Sequence, residues 1–141
     1  MRFSAEDCWA RLRTADHGVL CTTNSSGAID AVPVCLAIVG RRIATPIDAV
    51  KPKSTSELHR RKNLQRTPEA TLLCERWDPD EWSRLWWVRA RLVYREADNS
   101  MLDACEAALR AKYEQYRTAT FAAVLVFDVA SVVGWSGAEG P

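Results

Sequence analysis

Gly18-Val19-Leu20-Cys21-Thr22-Thr23, Asn24-Ser25-Ser26-Gly27, Ala28-Ile29-Asp30-Ala31-Val32-Pro33-Val34-Cys35-Leu36-Ala37-Ile38-Val39, Gly40-Arg41-Arg42 and Ile43-Ala44-Thr45-Pro46-Ile47 follow one another without interruption, and this stretch decides the fold. Its apolar runs are rich in β-branched residues and are separated by short clusters of Asn, Ser, Gly and Arg. Such punctuation belongs to strands joined by tight turns. The expectation is an antiparallel meander with strands over 18–23, 28–39 and 43–47. Pro33 cannot donate to a ladder, so the second strand should lie at an edge or carry a bulge.

Outward from the meander, Ser4 with Asp7 three residues on resembles a helix N-cap, and Trp9 and Leu12 give that helix a short apolar face. Downstream, Ser54-Thr55-Ser56-Glu57 fits a capping box for a helix over 55–66, which Pro68 prevents from continuing. Residues 70–76 and 85–95 read as two further strands. Met101, Leu102, Cys105, Ala108, Leu109 and Tyr113 form a stripe at helical spacing, which predicts a helix over 99–116. Residues 122–133 are nearly all apolar and should make a central strand. Six or more antiparallel strands with few helices predict a mainly β fold, a closed or partly closed barrel with flanking helices.

A chain of 141 residues with 48% hydrophobic and 26% charged residues fits one domain, 1–141, around one core. No run approaches the roughly 18 apolar residues of a membrane span, and the first residues are too polar for a signal peptide. The expectation is a cytoplasmic protein without a membrane partner. Cys8, Cys21, Cys35, Cys74 and Cys105 are widely spaced, and only His17 and His59 could join them as ligands, so no metal site is expected. The thiols read as small buried apolar groups in a reducing compartment.

Charge is not evenly spread. Lys51-Pro52-Lys53-Ser54-Thr55-Ser56-Glu57-Leu58-His59-Arg60-Arg61-Lys62-Asn63-Leu64-Gln65-Arg66 holds six basic residues against Glu57, a local +5 in a chain of net +1. A loop carrying Lys51 and Lys53 into a helix N-terminus is a phosphate-binding arrangement. Arg60 and Asn63, three apart, can share a helix face. Spacing alone leaves the plainer reading open, a solvated helix face.

Aromatic residues concentrate in Trp82-Ser83-Arg84-Leu85-Trp86-Trp87-Val88-Arg89. On a strand, Trp82, Arg84 and Trp86 would share one face and Leu85 and Trp87 the other. One face could pack a planar ring or a partner subunit, with Arg84 on an anion; equally, the tryptophans could fill the core. P-loop, dinucleotide, nucleophile-elbow and zinc-protease motifs are all missing, and neither histidine has an evident acid–base partner, so an enzyme of this sequence would rely on a cofactor.

Ile47-Asp48-Ala49-Val50-Lys51-Pro52-Lys53, then Arg61-Lys62-Asn63-Leu64 with Pro68-Glu69-Ala70-Thr71-Leu72-Leu73, then the tryptophan segment, occur in an order that resembles the pyridoxamine 5′-phosphate oxidase-like flavin and deazaflavin proteins. The resemblance is to their actinobacterial branch dependent on coenzyme F420, and it extends over about residues 15–135. It implies a split β-barrel, like that of FMN-binding proteins, forming a homodimer with cofactor clefts between subunits. It further implies that Lys51, Lys53, Arg60, Asn63 and Lys62 hold the cofactor phosphate. Val34, Cys35, Thr45 and Ile47 would lie along the ring, and Trp82, Arg84, Trp86 and Trp135 would approach from the other subunit.

The function so implied is an oxidoreductase in which F420, or FMN, passes a hydride to a small organic substrate. A non-catalytic flavin or deazaflavin carrier is the alternative. Single-stranded nucleic acid ranks last, because a net charge of +1 is low for that role. One phosphate needs two or three cations; six of them, with Arg41 and Arg42 near, favour the longer polyanionic tail of the deazaflavin.

Overall fold

The structure, a computed structural model, describes residues 1–48 and 55–138. Helix α1 (Ala5–Thr14) is capped as expected: the Ser4 side chain accepts from Asp7 N–H, and the Asp7 carboxylate accepts from Ser4 N–H. The strands are β1 (Gly18–Thr23), β2 (Ile29–Val34), β3 (Ala37–Val39), β4 (Arg42–Asp48), β5 (Glu69–Arg76), β6 (Trp86–Arg95) and β7 (Phe121–Ser136). Helix α2 (Thr55–Arg66) precedes β5, and α3 (Asn99–Lys112) precedes β7. All strand pairs are antiparallel, in the order β2-β1-β5-β6-β7-β4-β3.

That order explains the shape. The two edge strands, β2 and β3, are consecutive in the chain and joined only through Cys35 and Leu36. A sheet whose opposite edges are tied by two residues has to curl, and this one does, into the split β-barrel expected for the chain. Pro33 sits on edge strand β2, where its missing N–H costs nothing. The turn at Gly27 has φ 83°, a conformation open to glycine with little strain.

The expected strand over 28–39 is therefore two strands. The break at Leu36 is set by groups far away in sequence. The Tyr113 hydroxyl accepts from Leu36 N–H (3.1 Å) and donates to the Asp16 carbonyl (2.7 Å), while Lys112 Nζ donates to the carbonyls of Leu36 (2.9 Å) and Ala15 (2.6 Å). These bonds replace the ladder bonds Leu36 gives up. They also end α3 at Lys112, short of the expected 116; a separate 3₁₀ turn covers Glu114–Tyr116.

Alternation puts Leu20 of β1, Ala70, Leu72 and Cys74 of β5, Val88, Ala90 and Leu92 of β6, and Leu125 and Phe127 of β7 into one core with Ile43, Leu64 and Leu12. Strand β7 is interior, as its apolar run suggested, and pairs with both β6 and β4; register shifts opposite Arg91/Leu92 and Ile47/Asp48 let it turn between them. At Gly134 any Cβ would lie 2.8 Å from the Trp87 carbonyl oxygen, so only glycine fits there.

All five cysteines are free, and Cys8, Cys74 and Cys105 are buried. Burial pushes the Cys74 thiol from 9.0 up to about 11, with the Lys112 ammonium opposing. The folded protein thus keeps a proton that the unfolded chain releases above pH 9. This contribution is intact below pH 9 and is lost as pH rises to 11, on the order of 2–3 kcal/mol. Lys112, held below its usual value by burial, works in the opposite direction over part of that range. The informative quantity is the difference between wild type and Cys74→Ala in urea unfolding: wild type should lose stability relative to the variant between pH 9 and 11. Parallel pH curves would show that the thiol titrates alike in the folded and unfolded states.

Candidate functional site

The seam where β2 breaks into β3 borders a cavity of about 250 Å³, lined by His17, Pro33, Val34, Cys35, Pro46, Ile47, Asp48, Arg60 and Tyr116. Each wall has its own element. Val34 comes from the end of β2, Cys35 from the β2–β3 link, Pro46 to Asp48 from the end of β4, Arg60 from α2, and Tyr116 from the turn after α3. The lining combines apolar groups with a guanidinium, a carboxylate, an imidazole and a phenol. Asp48 Oδ1 is buried without a hydrogen-bond partner among the described residues, and so is Thr45 Oγ1. Asp48 also lines the cavity, so a carboxylate stands among its polar groups.

Of the residues singled out in the sequence, Val34, Cys35, Ile47 and Arg60 meet at this cavity. Thr45 is fully buried two residues before Ile47 on β4 and does not line it. Lys51 and Lys53, like the cap residue Ser54, lie outside the described residues. Lys62 is exposed.

Asn63 is committed elsewhere. It is 3% exposed; its Nδ2 donates to Thr22 Oγ1 (3.1 Å) and Asp30 Oδ2 (2.9 Å), and its Oδ1 accepts from Arg66 (3.1 Å). Both amide hydrogens are used, so Asn63 clamps α2 to β1 and β2 and has no donor left for a phosphate. The hydrogen bonds from Asn63 and Asn24 hold the Asp30 carboxyl below its ordinary value. Arg41 and Arg42 are also remote: Arg41 lies over the Trp9 ring, Arg42 pairs with Asp128, and the length of β4, about 20 Å, separates Arg42 from Asp48.

The tryptophans form a second site. The expected strand geometry fails for Trp82 and Arg84, which sit in a 3₁₀ turn (Trp82–Arg84) whose cap is the Glu81 side chain; β6 begins only at Trp86. Glu81 accepts from the N–H and hydroxyl of Ser83, and that local capping competes with a strand. Trp82 is 66% exposed and stacks at a tilt on Trp77, and Arg84 lies 3.7 Å from Asp78. Trp86, Trp87 and Trp135 join Trp77, Leu73, Leu85, Glu75 and Arg89 around a groove of about 430 Å³. This groove is at the Trp135 end of β7, whereas Asp48 pairs with Phe121 at the other end. Within the chain the two sites are separate.

Sequence reading passed over His17, Asp48 and Tyr116 as site residues. Asp48 closes the β4 run and His17 immediately precedes β1, so strand ends were the available signal; for Tyr116 no signal existed. Among the described residues, no group of three or more His, Cys, Asp or Glu could hold a metal ion, and no helix is long and apolar enough to cross a membrane.

With this geometry in hand, the fold can be matched to solved structures. A conserved hypothetical protein from Mycobacterium tuberculosis superposes with a TM-score of 0.74 at 15% identity, over 96% of this chain and 86% of that one. An FAD-binding protein from Mesorhizobium loti gives 0.69 at 14% identity, over 95% and 93%. An F420 reductase gives 0.58 at 14% identity, over 87% and 93%. The chain has the split β-barrel fold shared by these proteins. No protein-family model and no curated protein matches its sequence.

Proposed function

We propose that the chain is a flavin- or deazaflavin-binding oxidoreductase of the pyridoxamine 5′-phosphate oxidase-like family, acting as a homodimer. The observation that carries this reading is the cavity uniting Val34, Cys35 and Ile47 with Arg60 and Asp48. Its contents fit such a cofactor: an apolar strip for a planar ring, an acceptor for a ring N–H or hydroxyl, and a guanidinium for an anionic tail. Fold likeness to an FAD-binding protein and an F420 reductase supports the class of cofactor.

When bound, the cofactor supplies the hydride. The chain's part is to seat the ring against Val34, Cys35 and Ile47, hold the tail with Arg60, Lys51 and Lys53, and exclude water. Lys62, exposed on α2, would reach only the outer end of that tail. F420 is the preferred cofactor and FMN the alternative, because the basic segment carries more cations than one phosphate needs.

At about 250 Å³ the cavity is smaller than the roughly 300–1,000 Å³ of most small-molecule sites, so a second surface should complete it. The exposed Trp82 and Trp135, with Trp86, are the surface proposed to do so from the partner. A cytoplasmic location goes with a soluble cofactor.

Titration of the protein with F420 and with FMN, followed by absorbance and fluorescence, tests the reading. Micromolar or tighter binding of F420, with FMN weaker, is expected, together with sedimentation as a dimer. Tighter FMN binding reverses the choice of cofactor. Binding without turnover of any acceptor leaves a carrier, and binding of neither removes the proposal.

A further inference from the structure

The sheet gathers a second set of chemical groups away from the seam. Trp87 of β6 is the register partner of Glu75 on β5 and of Trp135 on β7. Directly paired positions, and positions two apart on one strand, stand on the same face of a sheet. Glu75, Trp87, Trp135 and Arg89 therefore share a face, and with Trp77 and Trp86 they line the groove of about 430 Å³. That volume falls within the usual range of small-molecule sites.

Arg89 is the uncommitted charge in this groove. It is half-buried, and its Nε is shut away from solvent with no hydrogen-bond partner among the described residues. The ion pairs among the described residues join other groups, and Glu75, diagonal to Arg89 across β5 and β6, forms none with it. What Arg89 does have is the Trp87 ring, whose centroid lies 5.6 Å from the guanidinium carbon. A ring face steadies a cation but supplies no oxygen for its N–H donors, and a guanidinium cannot shed its charge. Arg91, two residues along the same strand, shows the contrast: it donates to Thr71 Oγ1 at 2.8 Å.

The indoles divide in the same way. Arg11 lies 5.4 Å from the Trp86 ring, and Trp77 leans on Trp82. Neither Trp87 nor Trp135 stacks on another aromatic ring among the described residues, and Trp135 is 42% exposed. Open ring faces beside a charged fork suit a ligand that has both a flat π surface and an anionic group.

We propose that this groove is a binding site for a planar aromatic carboxylate, its ring against Trp87 and Trp135 and its carboxylate on Arg89. A carboxylate suits the site better than a phosphate: one guanidinium balances one negative charge, and the exposed Glu75 repels a second. The proposal goes beyond the cofactor reading and uses none of the residues at the seam. The two share only tryptophans, which in a dimer would set the acid at the margin of the partner's cleft.

Calorimetric titration of the protein without added cofactor is the test, with 2-naphthoate as the probe and 2-naphthamide as its uncharged counterpart. The acid should bind with a Kd of about 100 µM or tighter, and the amide at least about 10-fold more weakly, the scale of one charge-assisted contact. That comparison needs no variant. Arg89→Met, which keeps an apolar stem, should weaken the acid by about 10-fold or more and change the amide by less than about threefold. Glu75→Gln should tighten the acid about two- to threefold by removing a repelling charge. Arg60→Ala, at the other cavity, should bind the acid as wild type does. Equal binding of acid and amide, or undiminished acid binding by Arg89→Met, overturns the proposal and leaves an apolar groove. Acid binding lost in Arg60→Ala and kept in Arg89→Met moves the acid to the seam and overturns it equally. Sedimentation alongside covers the remaining case: acid that binds only as a dimer dissociates gives Arg89 to the contact between copies and overturns the proposal. The cofactor reading is tested separately, by the F420 and FMN titrations.

Discussion

Replacing Asn63 with alanine is expected to destabilise the protein by about 3–4 kcal/mol, lowering its thermal midpoint by about 10 °C. The side chain is buried and makes three hydrogen bonds, one to the Asp30 carboxylate and one from the Arg66 guanidinium. Bonds to charged partners contribute about 1.5–3 kcal/mol and the neutral bond to Thr22 about 1, with incomplete additivity. Deletion would also leave the Thr22 hydroxyl without its donor. The carboxyl of Asp30, now held low chiefly by Asn63, would rise toward its ordinary value of 3.8. A depressed carboxylate stabilises the fold above the unfolded-state pKa and loses that contribution as pH falls through the folded value. The variant should therefore show a weaker decline in stability on the acid side than wild type. Urea unfolding at several pH values measures both effects. A loss under 1 kcal/mol together with a large loss of cofactor affinity would show that Asn63 serves the ligand instead.

Arg60→Ala should do the converse, weakening F420 or FMN binding about 10- to 100-fold while leaving the fold nearly unchanged. A charge-assisted contact to phosphate contributes on the order of 1.5–3 kcal/mol, and Arg60 is the basic side chain of α2 that reaches the cavity. Lys53→Ala should lose a comparable factor. Lys62, exposed on the same helix, should change affinity less than about threefold on replacement by alanine. High salt should shrink the Arg60 effect, because the exposed part of the attraction is already screened. Equilibrium titration of the three variants at low and high salt settles the point. Wild-type affinity in both Arg60→Ala and Lys53→Ala would reduce the basic segment to a solvated helix face.

These two variants separate residues that the sequence presents as one motif. Arg60 and Asn63 lie three apart on α2 and looked like neighbours on a ligand face. In the structure Arg60 borders the cavity and Asn63 turns onto the barrel. A helix rotates by about 100° per residue, so three positions leave an offset of about 60°, enough to divide two faces where a helix lies along a sheet edge. Periodicity cannot tell which side of that division meets the sheet.

Local chemistry determined much of the molecule. The Ser4 cap and Asp7, the Gly27 turn, the alternation along β1, β5 and β6, the bounds of α2 and the apolar run of β7 were legible because each depends on neighbouring residues alone. The mainly β class and the barrel followed from the count and spacing of those runs. Only tertiary structure decided the rest. The break at Leu36 is made by Lys112 and Tyr113, whose hydrogen bonds cross more than seventy positions of sequence. Trp82 and Arg84 left the strand because the Glu81 side chain offered the Ser83 N–H between them a closer partner. Tyr116 and His17 reached the cavity because a two-residue link between the edge strands curls the sheet and brings the ends of β2 and β4 together. Short-range preference sets which elements form; closure of the sheet sets which of their ends become one site.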